Sequence, residues 1–365
     1  MKKFIMALKL VLVAIAARLR GGGPNTPGYW VCCLRFIRRL YAQGLDGYYH
    51  VGKAFLEVRM RILSDRLTLS DDPLNPILIV VVKDDLLRMR LLFSHYRRLG
   101  VSQFVILDNG STDGTAAFCA SQPDTRVYHV ATPYEGNRKE GWVERVIRSI
   151  GVNRWYIVAD SDELLDYPGS ESHSVQALIQ AQLALGNRRL YGYMLDMYAD
   201  SPLYSVDCAP EDIPQKFCFF DVDTYVMDEA LYGMRLPMGG PRQRITGCKI
   251  WAGKCPVFLF EEEMSILSAH FMQPIVQISD TSLCCVLRHY KYLRQDRSLY
   301  RYREAAASGF GYTSREYQAI NEIADQNQAT VMYYENSRKY RDSYSLAALP
   351  GLYCTFRRGQ SGTHS

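Results

Sequence analysis

A chain of 365 residues has room for one large domain or two. An apolar share of 48% and a charged share of 22% suit a folded core and exclude a disordered or fibrous chain. The net charge of +5 hides an asymmetry: residues 1–62 carry 11 Lys/Arg against 2 Asp/Glu, while the remainder is net negative. Only the N-terminal end therefore looks towards something anionic, and a nucleic-acid binder is not expected.

Residues 1–62 read as a basic amphipathic extension. Phe4 to Ala17 is apolar apart from Lys9, and as a helix it covers about 21 Å, short of a ~30 Å hydrocarbon core. Ala14-Ile15-Ala16 has the outline of a signal-peptidase site, but Lys9 interrupts the apolar run. The run is expected to lie on an anionic membrane surface. Gly21-Gly22-Gly23-Pro24 breaks it, and an amphipathic basic helix is expected across 29–62. Residues 63–76, polar and Pro-containing, read as a linker.

From residue 77 the pattern alternates strand and helix. Ile77 to Val82 is a continuous apolar run, β-branched at every position but Leu78. Leu86 to Leu99 has apolar residues at 86, 89, 92, 93, 96 and 99, with Gly100 as its stop. Phe104–Leu107 is a strand, 115–121 a short helix, Arg126–Ala131 a strand, Glu140–Gly151 a helix, and Trp155–Ala159 a fourth strand. Such alternation gives an α/β fold with a mostly parallel, Rossmann-like sheet flanked by helices. In these sheets ligands bind beyond the carboxyl ends of the strands. Asp84/Asp85, Asp108/Asp113 and Asp160/Asp162 all fall at such ends.

In Arg154-Trp155-Tyr156-Ile157-Val158-Ala159-Asp160-Ser161-Asp162-Glu163, three carboxylates arrive in four residues. If the backbone stays extended, Asp160 and Asp162 share a face, and they repel unless a cation sits between them. Mg²⁺ or Mn²⁺ would share such carboxylates with substrate phosphates. The competing reading is a polar strand end. Met234 to Arg244 (MRLPMGGPRQR) reads as a mobile loop whose Arg242 and Arg244 could pair with phosphate oxygens. Residues 293–346 read as helical, and 357–365 as a disordered tail. Ten scattered cysteines form no C-x-x-C, so buried free thiols in a reducing compartment are expected. No G-x-G-x-x-G follows a strand, which disfavours a dehydrogenase.

The ordered set VVVKDD, LDNGSTDGT and VADSDELL resembles the family 2-like glycosyltransferases with the GT-A fold, in their bacterial branch. The resemblance covers 77–166 well and continues loosely through Tyr191–Tyr198 and Leu287–Lys291. It implies a GT-A domain over 77–292, with a helical C-terminal region over 293–365. The implied reaction is metal-dependent inverting transfer from a UDP- or GDP-sugar to a saccharide or lipid-linked acceptor, in the cytoplasm or peripherally on the inner face of the plasma membrane. Residue by residue it places Lys83, Asp84, Asp85, Asp108, Asp113 and Asp160 at the donor nucleotide. Asp160 and Asp162 would carry Mn²⁺ or Mg²⁺, with His289 as a late ligand and His270 behind it. Lys83-Asp84-Asp85 departs from the family's Arg-Asn-Glu. The chemistry needs one base on the acceptor side; Asp196 is the first candidate, followed by Asp228 and Glu229. Two alternatives stand beside this: a sugar-phosphate nucleotidyltransferase, and a catalytically inactive scaffold at the membrane.

Overall fold

The computed structural model describes residues 2–19, 34, 37, 46–134, 139–229, 233–298, 311–326 and 331–358. Its centre is one mixed sheet of nine strands: β1 (Met60–Asp65), β2 (Ile77–Val82), β3 (Phe104–Asp108), β4 (Thr125–Val130), β5 (Arg154–Asp160), β6 (Glu163–Asp166), β7 (Arg189–Asp196), β8 (Gly253–Phe260) and β9 (Leu283–His289). The spatial order is β1-β4-β3-β2-β5-β8-β7-β9-β6. β4, β3, β2 and β5 run parallel. β8 lies antiparallel between β5 and β7, and β9 is parallel to β7. Antiparallel β6 and β1 close the two edges.

The parallel half follows from the sequence. The apolar run of β2 is buried at every position but the half-buried Val81, as suits a strand covered on both faces. The helix Leu86–Arg98 buries Met89, Leu92, Phe93 and Tyr96 at helical spacing. It ends where Gly100 takes a left-handed φ of 91°. The helices Thr115–Ser121 and Lys139–Ile150 follow β3 and β4, so each acidic loop sits where a parallel strand ends.

Three expectations need correction. The boundary at residues 62/63 falls inside β1, which pairs with β4, so the N-terminal extension is tied into the sheet. The Met234–Arg244 segment is not a loop. Arg235–Gly239 pairs with Tyr225–Glu229 as a hairpin, and Pro241–Thr246 is helical. Met234, Leu236 and Met238 are buried, and Met234 and Leu236 join the core, a strand signal masked by the Gly-Gly-Pro beside it. The region 293–346 is only partly helical: Gly311–Gln326 is an α-helix, Arg338–Lys339 pairs with Phe219–Phe220, and Ser343–Ala348 is a 3₁₀ turn.

At the N-terminus the helix Lys2–Leu19 packs on the helix Asp46–Glu57, which packs on Lys139–Ile150. The last contact closes at Gly141, where a Cβ would meet Val51 O and Phe55 N at 2.6 Å. Of the single helix expected across 29–62, residues 29–45 lie outside the described residues, apart from 34 and 37, 46–57 are helical and the strand β1 begins at Met60; the tail from 359 also lies outside the described residues. No helix among the described residues is long and apolar enough to cross a membrane. The eight described cysteines are free thiols, and Cys119, Cys218, Cys255, Cys284 and Cys285 are buried.

Candidate functional site

The acidic loops after β2 and β3 are stitched to each other. Asp84, at a left-handed φ of 49°, accepts hydrogen bonds from Thr112 N (2.6 Å) and Thr112 Oγ1 (3.2 Å), and its own N–H donates to Ser111 Oγ. Asp113 accepts from Leu86 N, Thr115 N and Thr115 Oγ1. Asp108 is buried and accepts from Gly110 N and Ser111 N, closing its own loop. Asp85 is buried and accepts from Arg88 (3.1 Å) and Ser161 Oγ (2.6 Å). Lys83 is exposed beside them. The expected donor-side residues are thus adjacent, with their backbone fixed by their own carboxylates.

The second half of the site is set by strand register. The chain turns at Ser161–Asp162, so Asp160 closes β5 and Glu163 opens β6. Across three neighbouring strands Glu163 lies opposite His289, and His289 opposite Asp196. His289 Nδ1 is 2.7 Å from Asp196 Oδ1, and its Nε2 is 3.3 Å from Asp162. The other Asp196 oxygen accepts from Arg242 Nε (2.8 Å), and Arg242 reaches Glu316 at 2.7 Å. Asp162, Glu163 and His289 each offer one ligand atom, all within 4.8 Å of one another.

This geometry revises two assignments. The turn breaks the extended backbone that would have put Asp160 and Asp162 on one face. Asp160 instead takes Lys139 Nζ on both oxygens, at 2.6 and 2.8 Å, with Lys254 Nζ at 3.5 Å. Glu163 takes its place in the three-residue group, although Lys254 also pairs with Glu163. Asp196 is not placed to act as the base. It is buried, with one oxygen on His289 and the other on Arg242. Burial alone would push its carboxyl up, but Arg242 and His289 outweigh that and hold it below the ordinary carboxylate range. Its role here is to orient the imidazole.

The remaining candidates are not among the three gathered acids and imidazole. Arg242 is held inside by Asp196 and Glu316, and Arg244 by Asp221 (2.9 Å), so the guanidinium groups expected on phosphates are engaged in ion pairs. Asp228 and Glu229 end the exposed side of the hairpin, where Asp228 pairs with Lys249 at 3.2 Å. His270 bonds the Gly253 carbonyl and stands edge-on to Trp251; burial pushes its pKa down to about 4.

The same pattern of charge acts on the other two acids of the turn. Burial raises both. Lys139 and Lys254 then pull Asp160 below the usual value, and His289, Lys291 and Arg88 do the same for Asp162. With Nδ1–H donating to Asp196, the Nε2 lone pair faces the Asp162 carboxylate, and the contact is favourable only with a cation or proton between them. A carboxylate behind a histidine whose other nitrogen meets two carboxylates fits a divalent cation.

No protein-family model and no curated protein sequence matches the chain.

Sequence reasoning missed Lys139, Lys254 and Glu140. Lys254 had a signal: it is a lone charge in the apolar run Trp251–Phe260. A small pocket, partly open to solvent, lies between the helix Lys139–Ile150 and the sheet. Val143, Phe258 and Met272 form apolar wall, and Lys139, Glu140, Asp160 and Lys254 also line it. Glu140 Oε2 is buried with no hydrogen-bond partner among the described residues, and burial raises the carboxyl's pKa.

Proposed function

We propose that the chain is a metal-dependent inverting glycosyltransferase of the GT-A type, taking a sugar from a UDP- or GDP-sugar and placing it on a saccharide or lipid-linked acceptor. One observation carries the reading. The loops after β2, β3 and β5 converge beyond the carboxyl ends of parallel strands, and Asp162, Glu163 and His289 gather there as a ligand set. The motif resemblance is independent of that geometry and points the same way.

On this reading Asp162, Glu163 and His289 would hold Mn²⁺ or Mg²⁺, which supplies charge neutralisation on a leaving diphosphate. Asp196 fixes the imidazole through Nδ1, leaving Nε2 directed at the ligand set. Lys139 and Lys254 stand beside Asp160 as cations able to turn towards phosphate oxygens. Asp84, Asp108 and Asp113 shape the loops against which the nucleoside would lie.

Calorimetric titration of UDP and of GDP, each with Mn²⁺ and with EDTA, tests it. Binding of one nucleotide that needs the metal, and that is lost in Asp162→Ala and in His289→Ala, is the expected result. Folded wild-type protein that binds neither nucleotide would leave an inactive scaffold as the better reading. Nucleotide binding equal in Mn²⁺ and EDTA would move the diphosphate to the two lysines and remove the metal.

A further inference from the structure

The helix Lys2–Leu19 is apolar on two opposite sides. Ala7 and Leu10 are buried, facing the helix Asp46–Glu57. Ile5, Leu8, Leu12 and Ile15 remain exposed, at 45, 49, 56 and 41%. At 3.6 residues per turn these four fall within about 80° of one another, on the far side from Ala7 and Leu10. Their exposure is contiguous rather than scattered, and a contiguous apolar stripe marks an interaction surface.

The charges around the stripe select its occupant. The helix contains Lys2, Lys3, Lys9 and Arg18 and no acid. Lys9 is exposed one turn from both Ile5 and Leu12, where a lysine stem can lie along apolar surface while its ammonium reaches out. Lys2 precedes Ile5 by three residues in the sequence and Arg18 follows Ile15 by three, so the segment is basic at both ends. A second copy would set this cationic face against itself. An acidic lipid headgroup layer complements it, with acyl chains taking the four apolar side chains.

We propose that this helix docks flat on an anionic lipid bilayer through Ile5, Leu8, Leu12 and Ile15, with the body of the protein carried on its other side. The proposal does not depend on the transferase reading. Combined with it, the docking sets the charged centre two helices away from the lipid. The Asp46–Glu57 helix bridges to Lys139–Ile150, whose first residue grips Asp160.

The test is co-sedimentation of the full chain with vesicles of phosphatidylcholine alone and of phosphatidylcholine mixed with phosphatidylglycerol, at low and high salt. Wild type should pellet with the mixed vesicles at low salt and much less with neutral ones. The double variant Leu8→Asp/Leu12→Asp should partition at least about tenfold less while keeping the wild-type melting temperature. Equal pelleting of the variant, equal binding to neutral vesicles, or no binding by wild type would each overturn the proposal. Sedimentation velocity without lipid covers the other occupant: a dimer of wild type that the same variant dissociates would assign the stripe to a second copy and overturn it too.

Discussion

Glu140 and Asp196 show how burial alone does not fix a carboxylate's state. Both are buried beside cations. Asp196 has a hydrogen-bonding partner on each oxygen and is held low, whereas Glu140 has an oxygen without one and is held high. A folded value above the unfolded one means that the native state binds the extra proton, so Glu140 subtracts stability at neutral pH and nothing in acid below the unfolded value. Glu140→Gln should therefore raise the urea midpoint at pH 7 to 8, with the gain fading towards pH 4. A gain that persists unchanged at pH 4 would refute the assignment. Retaining an unpartnered buried acid at a stability cost suits a position that serves function, so the same variant should lose activity while gaining stability.

At the scale of elements, the parallel half of the fold was legible residue by residue. β2 matches its expected span, β3, β4 and β5 begin or end within one residue of theirs, and the helix Thr115–Ser121 is where the sequence placed it. Each of these carries its own local signal: a β-branched run, a helical stripe, a stopping glycine. The second half lacked them. β6 is only four residues long and joins a strand far away in sequence, so its pairing depends on contacts that no local pattern encodes. That is why Glu163 was read as part of an acidic run and not as the partner of His289. The Asp46–Glu57 contact was invisible for the same reason, although Gly141 marks it. Gly141→Ala should force the two helices apart against backbone atoms, which have no rotamer to escape through. A loss of about 1–3 kcal/mol is expected, read as a fall in urea midpoint. An unchanged midpoint would mean that the helices do not pack as closely as described.

For the molecule as a whole, acid unfolding should occur in two windows. Burial lowers the pKa of His270 to about 4, and burial followed by Arg288 holds that of His95 well below the usual imidazole value. The unfolded chain takes up these protons below about pH 6.5, while the folded chain resists. Their contribution is complete above pH 6.5 and is lost as the pH falls below it, down to about 4 for His270. Asp160, Asp162 and Asp196 are held low in the folded state, so their contribution is complete above about pH 4 and is lost only below it. Urea midpoints should start to fall near pH 6.5, and His270→Asn, which keeps a donor for the Gly253 carbonyl, should flatten that first decline. Midpoints that stay level down to pH 4.5 would contradict it.

The row Glu163–His289–Asp196 has a consequence for how the chain zips together. β6, β7 and β9 are buried along their whole lengths, so hydrophobicity alone does not choose between alignments of these strands. A two-residue slip of β9 would keep every side chain on its face and place Leu287 between two buried carboxylates, taking the imidazole from Asp196 and leaving an apolar side chain against both. A one-residue slip would turn His289 to the opposite face. The ions that gather at the site thus also serve as the alignment key of the sheet's far edge, and a substitution that silences the chemistry there should also loosen the pairing on which that edge depends.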